Sequence, residues 1–150
     1  MRVVIQRVSS ASVTVDGVCL SDIQAGFMIL LGIETNDERG DADWLIGKII
    51  GMRVFNDDQG KMNLSIQDIK GSFLIVSQFT LHAQTAKGNR PSFIRAARPE
   101  QAIPLYEYFI AQLRQLSGLT VGTGRFGADM KVQLVNDGPV TIIIDSKQRD

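Results

Sequence analysis

Residues 8 to 15 sort by parity: Val8, Ser10, Ser12 and Thr14 fall on one side, and Ser9, Ala11, Val13 and Val15 on the other. A period of two fits an extended strand with unlike faces and does not fit a helix. Asp16-Gly17 follows, a dipeptide that closes hairpins, and Val18-Cys19-Leu20 begins the return. The chain is thus committed to antiparallel sheet from its start. Gly26 then precedes the apolar run from Phe27 to Ile33, short enough for a buried strand. Ser72 to Leu81 is the strongest strand candidate of all.

Two helices are expected between and after these strands. Ala42, Leu45, Ile46, Ile49, Ile50 and Val54 recur at three- and four-residue spacing, with Asp41 or Asp43 favouring the start and Asn56 to Gly60 forming a terminating turn. The second runs from Pro99, a residue suited to a first turn, to Ser117-Gly118, with Ile103, Tyr106, Phe109, Ile110, Leu113 and Leu116 as its stripe. Strands return at 121–126, 130–135 and 140–144. The fold class is α+β, with antiparallel-rich sheets forming a barrel-like layer and two main helices packed outside it. With 150 residues, 44% of them hydrophobic and no linker-like stretch, residues 1–150 read as one domain with a real core.

Charge and cysteine usage exclude several classes. Sixteen Lys+Arg balance sixteen Asp+Glu, so the chain is not a basic nucleic-acid coat. The charges are segregated, however. Glu34 to Asp58 holds seven acids against three bases, whereas Ile69 to Pro99 holds no acid but has Lys70, Lys87, Arg90, Arg95 and Arg98. That stretch is either a solvated loop or a phosphate-binding flank. A single cysteine, Cys19, fits a reducing cytosol and reads as a small buried or half-buried strand residue. Neither a signal peptide nor a membrane span is apparent, so a cytoplasmic location is expected.

The catalytic inventory is narrow. His82 is the one histidine, and its five-residue separation from Ser77 places the two on opposite faces of a continuous strand. No His/Cys/Asp cluster has metal-ligand spacing, so neither metal nor cofactor is expected. Gly122 to Gly127 matches a dinucleotide-type glycine pattern but leads into a strand rather than a helix. What remains are hydroxyls, amides and backbone groups. Ser77-Gln78-Phe79-Thr80 ends an apolar strand with polar residues, which is either a strand fraying into a loop or the opening of a site. Asn136-Asp137-Gly138-Pro139-Val140-Thr141 puts Gly-Pro between two strand-like runs, where a turn or a cis peptide are both open.

These two segments resemble the signature motifs of the D-aminoacyl-tRNA deacylases. The resemblance extends to Met1 to Val8, Asn89 to Phe93 and Gly124 to Met130, and so covers nearly the whole chain. It implies a homodimer, with its site at the subunit interface, that hydrolyses the ester between a D-amino acid, or mischarged glycine, and tRNA while rejecting L-aminoacyl-tRNA. It further implies that Ser77, Gln78, Phe79 and Thr80 line the reaction centre. Gly138-Pro139 is implied to be a cis motif inserted into the partner's site to exclude L side chains, with Arg7 bracing it. Phe126, Gly127 and Met130 are implied to receive the terminal adenosine. An activated ester needs positioning and an oxyanion donor more than a strong base, which suits this inventory. A non-catalytic RNA- or DNA-binding module using the Lys70 to Arg98 stretch is the alternative.

Overall fold

In the computed structural model, which describes residues 1–149, the strand β1 (Arg2–Val15) is the spine of the sheet. One edge pairs antiparallel with β3 (Gly26–Gly32) through residues 2–8 and with β2 (Val18–Ile23) through residues 11–15. The other edge pairs antiparallel with the long strand β8 (Lys131–Asp145). Beyond β3 lie β6 (Ser72–Ser77) and β7 (Val121–Thr123), both parallel to their neighbours. The sheet nearly closes. Ser21 on β2 uses its hydroxyl to donate to the Thr123 carbonyl (2.9 Å) and to accept the Thr123 N–H (3.1 Å), bridging the two outer strands. The expected antiparallel-rich, barrel-like α+β architecture is the observed one, with β3–β6 and β6–β7 as its parallel pairs.

Parallel neighbours need crossovers, and two helices supply them. α1 (Arg39–Gly51) lies in the connection from β3 to β6, and α2 (Pro99–Ser117) in the one from β6 to β7. Strand parity then sorts the core into two layers. Phe27, Ile29, Leu31, Phe73 and Ile75 pack with Leu45, Ile46, Ile49, Phe109 and Leu113 of the helices. Met28, Leu74 and Val76 point the other way, into the barrel with Val8, Ala11 and Val13. Both faces of the central strands are therefore buried, which explains why β3 and β6 read as continuous apolar runs. Removing one of these buried phenylalanines costs about 3–5 kcal/mol in a typical core. Gly26 makes the β3–β6 approach possible: with φ at +157°, a Cβ there would lie 1.8 Å from the Ser72 carbonyl oxygen.

Five expectations about these elements need correction. The first helix does not reach Val54; it stops at Gly51, and Val54 belongs to β4 (Arg53–Asn56), which forms a hairpin with β5 (Met62–Ser65) around the Asn56–Gly60 turn. Leu116 on the predicted stripe of α2 is 56% exposed, and Ala102 is buried instead. The separate strands expected at 130–135 and 140–144 are one strand, β8, running through Gly138-Pro139, and the strand expected at 121–126 ends at Thr123 as β7. Cys19 is exposed beside the hairpin turn rather than buried.

Lys147, near the end of the described residues, is one pole of an ion cluster whose carboxylates are buried. Its ammonium donates to Asp41 (2.9 Å) and lies 4.0 Å from Asp37, which also accepts from the α-amino group of Met1. Ser146 donates no charge but accepts from the same amino group at 2.9 Å. Burial by itself would raise the Asp41 pKa; hydrogen bonds from Lys147, from the Glu38 N–H and from Ser146 outweigh it and hold the carboxyl at about 2. Asp41 also opens α1, accepting the Glu38 N–H at 2.9 Å. The acidic 34–58 stretch is thus partly internal structure rather than a solvated face.

Candidate active site

The apolar run of β6 ends at Val76, the strand itself at Ser77, and the next residues turn into a 3-10 helix, Phe79–His82. The predicted strand to Leu81 is therefore four residues too long. Its local cause is in the hydrogen bonds: the Gln78 N–H still pairs with the Leu31 carbonyl at 2.8 Å, but the Leu81 N–H folds back onto the Gln78 carbonyl at 3.3 Å. Gln78 and Thr80 still meet, though not as strand neighbours. The Gln78 amide Nε2 donates to Thr80 Oγ1 at 2.6 Å across the turn. The Phe79 and Thr80 N–H groups open this turn, so they have no intrahelical partner, and among the described residues neither meets an acceptor.

A cavity of about 260 Å³ opens at this point. Ser77, Gln78 and Phe79 line one side; Phe126, Gly127 and Met130, from the turn between β7 and β8, line the other. At Gly124 in that turn a Cβ would stand 2.4 Å from Met130 Sδ, a crowding that the flexible methionine side chain relieves by shifting. Phe126 is braced by Tyr106 of α2, with ring centroids 5.7 Å apart at 61°. Tyr106 in turn donates its hydroxyl to the Ile75 carbonyl at 3.1 Å, two residues before Ser77. Burial pushes that hydroxyl up to about 12, against a smaller opposing effect of Arg114, so it remains a neutral donor. Aromatic packing and one buried hydrogen bond thus hold both walls in register.

The third set of expected residues lies elsewhere on the chain. In the β1–β8 ladder, Gln6 pairs with Thr141 and Val8 with Asn136, leaving residues 137–140 as an excursion opposite Arg7. The Gly138-Pro139 bond in that excursion is cis, and both residues are exposed. Asn136 clamps its base: its Oδ1 accepts the Val140 N–H at 3.1 Å, and its Nδ2 donates to Thr141 Oγ1 at 3.0 Å. Arg7, only 6% exposed, braces it from behind. Its Nε donates to the Asp137 carbonyl (2.8 Å), and its Nη1 to the Val54 carbonyl (2.7 Å) and Asn56 Oδ1 (3.3 Å). Within one chain, Gly138, Pro139 and Arg7 form a cluster separate from the cavity walls.

His82 takes no part in a nucleophile pair, although the strand does end between it and Ser77. It is buried, with Nδ1 3.9 Å from the Glu34 carboxylate and Nε2 lacking a partner among the described residues. The described residues contain no group of three His, Cys, Asp or Glu side chains placed to hold a metal ion. The contact that sequence reasoning missed is Phe93, whose ring meets Phe79 at 5.1 Å and 80°. Two aromatics fourteen positions apart across an irregular loop leave no periodic signal.

Fold and cavity together define a small α+β barrel with a cavity at the end of a central strand, lined in part by hydroxyl and amide side chains. A family model described as D-Tyr-tRNA(Tyr) deacylase matches residues 4–145. The chain belongs to that family. It is 63% identical over 150 residues to a D-aminoacyl-tRNA deacylase of Phocaeicola vulgatus and 59% identical to one of Akkermansia muciniphila, covering 100% of each chain in both cases. A solved structure titled c-Myc DNA Unwinding Element Binding Protein is 44% identical and superposes with a TM-score of 0.89, over 97% of this chain and 98% of that one. Another, titled as a probable eukaryotic D-amino acid tRNA deacylase, shares the fold at a TM-score of 0.80 and 17% identity, over 95% and 97% of the two chains.

Proposed function

We propose that this chain hydrolyses the ester between a D-amino acid and the 3′ end of tRNA, releasing free amino acid and tRNA. The observation that carries this reading is the cavity lined by Ser77, Gln78 and Phe79, at a turn whose Phe79 and Thr80 N–H groups meet no acceptor among the described residues; Thr80 itself stands beside the cavity rather than in its lining. Water attacks the ester carbonyl, the carbon–oxygen bond to the ribose breaks, and the proton passes to the departing ribose oxygen. The Phe79 and Thr80 N–H groups are the donors for the oxyanion, a task that needs fixed dipoles rather than an ionised base. Phe126, Gly127 and Met130 receive the terminal adenosine. The ribose 2′-hydroxyl assists the attacking water, since His82 is buried against Glu34 and the Thr80 hydroxyl is paired with Gln78 instead. A non-catalytic nucleic-acid module would leave these groups without a use.

The remaining assignments extend this reading. A second copy of the chain brings its Gly138-Pro139 excursion to the cavity, where its carbonyls leave no room for an L side chain. Rejection by a fixed obstacle is indifferent to which D side chain is present, as a broad substrate range requires. Glycine, with nothing to clash, is hydrolysed as well. The exposed apolar Ile143, with Val4 paired beside it on β1, gives the two copies a face to share. Charged tRNA is the partner, the cytoplasm the site of action, and no cofactor takes part. No helix among the described residues is long and apolar enough to cross a membrane.

Thr80→Ala tests the chemistry. With the 2′-hydroxyl assisting, deacylation falls about 10²-fold or less and no covalent intermediate accumulates. Near-complete loss, together with an acyl-enzyme trapped and weighed by mass spectrometry in the unmodified chain, would replace this mechanism with a Thr80 nucleophile.

A further inference from the structure

The segment between the 3-10 turn and α2 is built rather than loose. Gln84 and Ser92 exchange backbone hydrogen bonds in both directions, at 2.8 and 3.0 Å, closing a tip that carries Lys87 and Arg90. The returning limb is fastened to the end of β3: the Thr35 N–H donates to the Arg95 carbonyl at 3.0 Å and the Ala97 N–H to the Ile33 carbonyl at 2.9 Å. Arg95 also places its guanidinium on Glu34 at 2.9 Å. On this frame stand three exposed apolar side chains, Phe79 at 54%, Phe93 at 36% and Ile94 at 80%. Phe79 is shared, since it lines the cavity on one side and meets Phe93 edge-on from the other.

Exposed aromatic rings held in place, flanked by cations and free of acids, are what unpaired nucleotides bind. Bases stack on the rings and phosphates lie against the cations, whereas a duplex keeps its base faces covered. Among the described residues Lys87, Arg90 and Arg98 have no carboxylate partner, and no acid occurs between Ile69 and Pro99. We propose that Phe93, with Ile94 and the Lys87–Arg90 tip, forms a subsite for the unpaired nucleotides that precede the aminoacylated adenosine in the RNA 3′ end. The subsite rests on the proposed deacylase reading of the neighbouring cavity. A second copy of the chain is a poorer occupant, because a two-fold contact here would bring two acid-free, cationic patches together.

The experiment compares D-aminoacyl esters of adenosine and of a trinucleotide ending in adenosine, with the full-length chain and its Phe93→Ala and Phe93→Trp variants. For the unsubstituted chain the KM of the trinucleotide ester should be lower by about tenfold or more, the usual size of one base–aromatic stack. Phe93→Ala should shrink that KM ratio towards one with little change in its kcat, and Phe93→Trp should restore it. Lys87→Ala with Arg90→Ala should flatten the salt dependence of trinucleotide binding by roughly one unit of slope per lost phosphate contact. An unchanged KM ratio in Phe93→Ala would overturn the subsite, as would a change in sedimentation showing that Phe93 holds a subunit contact. Failure of the unsubstituted chain to release amino acid from either ester would instead refute the deacylase reading.

Discussion

Gly138→Ala is expected to lower the preference for D- over L-aminoacyl esters by about 10²-fold while the fold is retained. Gly138 has φ at +138°, and a Cβ there would stand 2.9 Å from Val140 Cγ2, 3.0 Å from the Val140 nitrogen and 3.0 Å from Arg7 Nη2. Arg7 has little freedom to withdraw, because it is buried and its other nitrogens hold Asp137, Val54 and Asn56. The excursion itself must therefore shift. A discrimination of ~10⁴ corresponds to roughly 5.5 kcal/mol, so losing about half of that barrier gives the expected factor. The fold survives because residues 137–140 contribute no partners to the β1–β8 ladder. The measurement is kcat/KM on matched D and L esters, with circular dichroism as the check on folding. An unchanged ratio in a folded variant would remove the excursion from chiral selection.

Asp37→Ala should cost about 3–5 kcal/mol of stability, the usual penalty for leaving a buried charge without its partner. The Asp37 side chain is fully buried, accepts from the Met1 amino group and takes the Glu34 N–H at 2.7 Å. Lys147, 4.0 Å from Asp37, is itself a cation and cannot stand in for the missing carboxylate, and Asp41 is already paired with that lysine. In a domain of this size the loss lowers the melting temperature by roughly 6 °C or more. Denaturant unfolding gives the free energy directly. A midpoint within experimental error of the unsubstituted chain would mean that the cluster contributes nothing.

The layered core was legible because its signals are periodic. β3 and the body of β6 are apolar runs buried on both faces, and α2 follows its Pro99 start and Gly118 stop closely. Misreadings arose where one local rule outran another. Val54 keeps helical spacing with Ile50, yet Met52 already has extended backbone and the chain enters β4. Phe79 and Leu81 keep the alternation of a strand, yet the backbone hydrogen bonds close a 3-10 turn after Gln78. β8 continues past Pro139 because the missing N–H falls in the excursion, where no ladder bond is required. Lys147 and Phe93 were silent for another reason. Their partners, Asp41 and Phe79, lie far along the chain or across a loop, and only the folded barrel brings them together.

Of the proposed site, the Ser77–Thr80 segment and the Gly138-Pro139 excursion stood out through composition alone, as polar residues ending an apolar strand and Gly-Pro between strands. The cavity walls at Phe126, Gly127 and Met130 did not. Their glycine pattern suggests a phosphate loop until the following residues prove to be strand. Positioning by Tyr106 was equally hidden, since a tyrosine on an amphipathic helix is normally core. Its hydrogen bond to Ile75 gives it the further task of tying α2 to the strand that ends at the site.

The most direct test charges one tRNA with the D and, separately, the L form of the same amino acid and follows release of free amino acid by the purified full-length chain. The D ester should be hydrolysed and the L ester spared by a factor of about 10⁴, equivalent to roughly 5.5 kcal/mol. Equal hydrolysis of both esters would contradict chiral selection, and tight tRNA binding without release of either amino acid would make the chain a nucleic-acid-binding module.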